Sequence, residues 1–189
     1  MDLPAELRTY IFELAVTSDL PLVAFRLDSY QADSLREATQ PALTRVSKQL
    51  RRESLLLFYS ANTFILHTEG DKANHSHRWA QCTEPYLREL TSVEIRQRVV
   101  TLTNTRSESN GALAVTMTRA KADGPWRVGD HWKWASVTPK PNGVSIDASF
   151  ILGLLRTLIM ENPGLLDTAD NVFATITDLR SLYVKEKMS

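Results

Sequence analysis

Apolar residues recur at helical spacing at both ends of the chain and alternate in its middle, and that order constrains the fold more than any other feature. "LPAELRTYIFELAV" (3–16) places Pro4 in a first turn, where its missing N–H costs nothing. Leu3, Leu7, Ile11 and Leu14 then fall on one side of a helix. "PALTRVSKQLRRESLLLFYSANTF" (41–64) restarts a helix with Leu43, Val46 and Leu50 on one stripe, an all-apolar end and a break near Ser47–Gln49. "LVAFRL" (22–27), "TFILHT" (63–68), "RVVTLTN" (98–104), "ALAVTMTRAK" (112–121) and "WRVGDHWKWASV" (126–137) read as strands, with Gly129 a bulge or turn. Residues 70–91 begin polar and become helical only towards "EPYLRELTS" (84–92).

The C-terminal third is helical again. Asp147 is the expected cap of a helix carrying Phe150, Ile151, Leu154, Leu155, Leu158 and Ile159, which "ENPG" (161–164) ends. Thr168 is the expected cap of a last helix with Val172, Phe173, Ile176, Leu179 and Tyr183 inward. Helices, then strands, then helices indicate α+β: an N-terminal helical segment, a central antiparallel or mixed sheet, and two C-terminal helices packed on it. The expected organisation is a helical segment with an inserted strand or loop over 1–66 and an α+β region over 67–189, either separate or one continuous domain.

Composition narrows the function. In 189 residues, 43% apolar content supplies a core. Lys plus Arg and Asp plus Glu are 22 each, and that balance counts against a dedicated nucleic-acid binder. With one cysteine, Cys82, no intrachain disulfide forms. The opening residues are a charged amphipathic helix rather than a secretory leader, and no apolar run approaches a membrane span. The expectation is an intracellular protein of the cytoplasm or nucleus, without a membrane partner.

Two segments carry a resemblance. Leu3, Pro4, Glu6, Leu7, Arg8 and Ile11 form a Leu-Pro-x-Glu-Leu-Arg helix. Leu43, Val46, Gln49, Leu50, Arg51 and Glu53 follow, then Phe58, Tyr59, Asn62 and Phe64. In this order they resemble the paired signature of fungal F-box-like proteins, over the first third of the chain. The resemblance implies a non-enzymatic adaptor that binds the Skp subunit of cullin-RING ubiquitin ligases. Leu3, Pro4, Leu7, Ile11 and Leu14 would contact that partner, with Val46 and Leu50 helping. The physical logic is helix-in-groove recognition with anchors at i, i+4 and i+7. It also implies that Glu53 pairs a semi-buried cation. The competing reading packs the first helix back on the chain's own sheet.

Catalytic signatures are absent from the sequence: there is no Gly-x-Ser-x-Gly elbow and no phosphate-cradling glycine loop. His131 beside Asp130 would point to opposite faces of a strand. Two alternatives to an adaptor remain. Trp126, Trp132 and Trp134, interleaved with Arg127 and Lys133, could hold a peptide or nucleic acid on a hairpin. His67, His75, His77 and Cys82 could centre a metal-dependent or cysteine enzyme. Their spacing lacks a second close ligand pair, so the expectation is no metal and no cofactor.

Overall fold

The computed structural model describes residues 3–24, 36–99, 111–136 and 139–188. The fold is α+β. Its strands are β1 (Leu22–Val23), β2 (Arg36–Glu37), β3 (Thr63–His67), β4 (Ser92–Arg98), β5 (Ala112–Thr118) and β6 (Arg127–Ala135). Its helices are α1 (Ala5–Val16), α2 (Lys48–Ala61), α3 (Gly70–Thr83), α4 (Val144–Glu161) and α5 (Ala169–Met188). The sheet is mixed, in the order β2-β1-β3-β4-β5-β6. Its first four strands are parallel neighbours, and β5 and β6 join antiparallel. Strands from either side of residue 66 therefore lie in one sheet.

Strand alternation sorts the sheet into two faces. Phe64 pairs with Val93, and Leu66 with Ile95. Val93 pairs with Met117 and Ile95 with Val115, while Trp132 and Trp134 lie opposite Val115 and Leu113. These residues share a face, and buried residues of all five helices join them in one core. The other face carries Ile65, His67, Glu94 and Arg96.

Local chemistry explains the element boundaries. Before α2, a 3-10 turn at Ala42–Arg45 stops at Val46, and the Ser47 hydroxyl accepts the Leu50 N–H at 3.2 Å. The expected break near 47–49 is thus an N-cap. At α5, the Thr168 hydroxyl accepts the Asn171 N–H at 3.2 Å, as its position predicts.

Several expectations are corrected. Asp147 does not cap α4, since Gly143 does so with φ 82°. Asp147 instead lies buried one turn in, accepting the Tyr183 hydroxyl at 3.2 Å and pairing with Lys187. The polar stretch after residue 70 is fully helical as α3. Its inner stripe is Ala73, Ser76, Trp79, Ala80 and Thr83, mostly small residues that carry little apolar signal. The Ser76 hydroxyl accepts the His67 N–H at 2.9 Å and donates to the Lys72 carbonyl at 3.0 Å. β4 (Ser92–Arg98) is a strand that sequence reading did not mark, and it meets the one expected over 98–104 at Arg98. Residues 25–27, 100–104 and 137 of the expected strands lie outside the described residues.

Gly111 and Trp134 show the tightest approach in the hairpin. A Cβ on Gly111 would stand 2.0 Å from the Trp134 ring, so only glycine fits beneath that indole. Among the described residues, no helix is long and apolar enough to cross a membrane.

Candidate docking surface

The first helix is attached by a narrow edge. Of its residues, Phe12 and Val16 are buried and Arg8 is half-buried. Helical geometry spaces these three along a single stripe. Arg8 Nε lies 3.6 Å from Glu53 Oε2, and Gln49 Nε2 donates to Glu53 Oε1 at 3.0 Å. At the other end, the buried Asn62 amide donates to the carbonyls of Val16 at 2.9 Å and Phe58 at 2.8 Å. Its Oδ1 accepts the Ser18 N–H at 2.7 Å. Glu53 precedes Asn62 as Arg8 precedes Val16, so α1 and α2 run side by side in the same direction.

The expected stripe points the other way. Leu7 is 51% exposed, Ile11 47% and Leu14 69%, and Leu3 and Pro4 are also exposed. Tyr10, which sequence reading passed over, is 61% exposed beside them. At 3.6 residues per turn, this stripe is centred roughly 150° from the Arg8–Phe12–Val16 edge. Hydrophobicity alone could not separate the two stripes, because each holds large apolar residues. Leu7, Tyr10, Ile11 and Leu14 fall at i, i+3, i+4 and i+7, the anchor pattern of helix-in-groove recognition. Neighbouring exposed apolar residues of this kind are a recurrent feature of interaction surfaces.

The two residues assigned to α2's side of the surface divide. Val46 is 68% exposed, in the turn before α2. Leu50 is buried at 5%, on the inward stripe of α2 with Ser54 and Phe58, so it belongs to the interior and not to a contact surface.

The tryptophan hairpin packs its indoles against the core rather than setting them out as an aromatic platform. Trp126 is 2% exposed, with the buried Arg119 guanidinium 4.6 Å from its ring centroid. Trp132 and Trp134 share a face, and it is the core face, where both are partly buried. Arg127 and Lys133 are exposed, and Lys133, alternating with the two indoles, lies on the opposite face. The Lys140 ammonium, 5.1 Å from the Trp132 ring, is the cation that meets an indole there. Asp130 pairs with Arg156 Nη2 at 2.9 Å.

The histidines are dispersed. His67 is on β3, while His75, His77 and Cys82 are on α3, where His77 stacks on Phe173 with centroids 4.4 Å apart. Among the described residues, no three His, Cys, Asp or Glu side chains are grouped to hold a metal. Burial, with Lys72 and Arg96 nearby, lowers the His67 pKa to about 3, so this imidazole is neutral at physiological pH. Burial likewise pushes the Tyr59 hydroxyl up to about 12. Comparison with family models, curated proteins and solved structures finds no match to this chain.

Proposed function

We propose that this chain is a non-enzymatic recruitment protein of F-box-like type, which docks a protein partner through the outer face of α1. The reading rests on one observation: Leu7, Tyr10, Ile11 and Leu14, with Leu3 just before them, are exposed on a helix whose opposite edge holds it to α2. A helix kept only for the chain's own core would turn its larger apolar stripe inward. The F-box-like resemblance names the partner as a Skp-type adaptor, and the setting as the cytoplasm or nucleus. Arg8, Gln49 and Glu53, three residues of the resembling signature, meet between the helices. They serve to hold α1 in place, and the leucines of the same signature are left for contact.

The test is reconstitution of the purified chain with a purified Skp adaptor. The expected result is a stable complex on gel filtration, lost when Leu7→Asp and Ile11→Asp are combined while the unfolding midpoint is retained. A wild-type chain that stays apart from the adaptor at micromolar concentration overturns the reading. The tryptophan hairpin as a ligand surface draws less support, because Trp126 is interior.

A further inference from the structure

Away from α1, the helix α4 is apolar on two sides. Val144, Ala148, Ile151 and Leu155 are buried in the core, along a helix of 18 residues and so about 27 Å long. On the opposite side, Ile146, Phe150, Gly153, Thr157 and Met160 form a second stripe at i, i+4, i+7, i+11 and i+14. That alternation of four and three is the seam spacing of a two-helix coiled coil. Ile146 and Met160 are each 75% exposed, Gly153 and Thr157 are exposed, and Phe150 is half-buried. A helix apolar all round is normally buried all round, and here the outer side is open.

The outer stripe fits a copy of itself. It carries no charge, and Arg156 at its edge is paired with Asp130 at 2.9 Å, so two such faces meet without repulsion. Its hydroxyls are satisfied inside the helix: Thr157 donates to the Gly153 carbonyl at 3.2 Å, and Ser149 beside the stripe to the Ser145 carbonyl at 3.0 Å. Covering the face therefore strands no donor. Glycine is the poorest helix former after proline, yet a Cβ on Gly153 would meet nothing within 4 Å, so the chain's own packing does not call for it. A large side chain from a facing helix would. Antiparallel pairing that sets Phe150 opposite Gly153 of a second copy repeats that contact across the two-fold axis, and sets Ile146 opposite Thr157 and Glu161 opposite Asn142. Asn142 precedes the N-terminus of the other α4, which Gly143 begins without a side-chain cap. The acid of that first turn, Asp147, is committed to Tyr183 and Lys187. Glu161 is exposed, with no hydrogen bond or ion pair among the described residues, and its carboxylate complements the positive end of the facing helix.

We propose that α4 pairs antiparallel with α4 of a second copy of this chain, each Phe150 lying over the other copy's Gly153. The surface is separate from the α1 face and does not depend on the recruitment reading. The test is sedimentation velocity of the full chain across the micromolar range, under reducing conditions that exclude a disulfide through the exposed Cys82. The expected species at the top of the range is a dimer. Gly153→Gln should leave the chain folded, because the position is open, and abolish the dimer, because the new side chain takes the place of the second copy's Phe150. Ile146→Asp, at a position 75% exposed, should abolish it by placing a charge on the seam. Glu161→Lys should weaken association about tenfold, from two symmetric contacts at helix ends. The combined Leu7→Asp and Ile11→Asp chain should dimerise as the wild type does. A chain that stays monomeric, a dimer that survives a folded Gly153→Gln or Ile146→Asp variant, unchanged association of Glu161→Lys, or a dimer lost with the α1 variant overturns the proposal. Circular dichroism identifies which seam variants are folded, and either one suffices.

Discussion

Arg8 and Glu53 face one another across the contact between α1 and α2, guanidinium Nε to carboxylate Oε2 at 3.6 Å, with side chains 20% and 35% exposed. Both have a second attachment: Arg8 Nη1 donates to the Leu3 carbonyl at 2.9 Å, and Glu53 accepts from Gln49. The pair therefore ties the N-terminal half of α1 to the middle of α2. Glu53→Ala should cost about 1 kcal/mol, above a surface ion pair because Arg8 is half-buried and loses its counter-charge. A urea melt measures it, and a double-mutant cycle with Arg8→Met isolates the coupling. An unchanged midpoint would mean the pair holds nothing.

The two stripes of α1 make opposite predictions. Phe12 is 3% exposed, and Phe12→Ala should destabilise by about 3 kcal/mol through lost burial and a cavity. Leu7→Asp with Ile11→Asp changes two exposed side chains and should shift stability by about 0.5 kcal/mol or less. Denaturant midpoints of the three chains check this. A large loss in the double variant would show that the outer stripe is covered by the protein itself, and would end the docking proposal.

The span of α1 was legible in the sequence, but its orientation was not. Leu3, Leu7, Ile11 and Leu14 outweigh Phe12 and Val16 in any apolar count, so periodicity finds the stripe but does not say whether it faces the core or a partner. Two other elements were hidden by their own polarity. β4 reads "SVEIRQR", with charges at Glu94 and Arg96 where a buried strand should be apolar. Folding pairs Arg96 Nε with Glu94 Oε1 at 2.7 Å, and Gln97 accepts from Thr68 on the neighbouring segment. α3 was obscured because Ser76 and Thr83 occupy inner positions and return their hydroxyls to the helix carbonyls one turn back. By contrast, β5 and α5 have strong local patterns and were readable, while α4 begins at Val144, a turn ahead of the Asp147 expected to cap it.

His67 should make the fold acid-sensitive. Its folded pKa of about 3 lies below the unfolded value of 6.5, so the unfolded chain binds the proton more readily. Stability is complete above about pH 6.5 and falls as pH drops towards about 3. With 1.36 kcal/mol per unit, the loss from this residue at pH 5 is about 2 kcal/mol. His67→Asn should remove most of that slope in melts taken from pH 7.5 to pH 4.5. An identical slope in the variant would assign the acid sensitivity to other groups.

Arg119 is the interior cation on which the join between sheet and helices depends. Its side chain is 1% exposed. The guanidinium donates to the carbonyls of Leu87 at 3.0 Å, Arg88 at 2.6 Å and Leu90, and Nη1 meets Asp167 Oδ1 at 3.0 Å. One side chain thus binds the 3-10 turn at Glu84–Glu89 and the connection from α4 to α5, while its face covers Trp126. Arg119→Met leaves buried carbonyls and Asp167 without their donor and should cost about 3–5 kcal/mol. Arg119→Lys keeps the charge, but it has three donors on a single atom and cannot span acceptors placed around a planar fork. It should therefore lose nearly as much stability as Arg119→Met, read from urea midpoints, and near-wild-type stability for the lysine variant would show that charge, not the fork, is what the site needs.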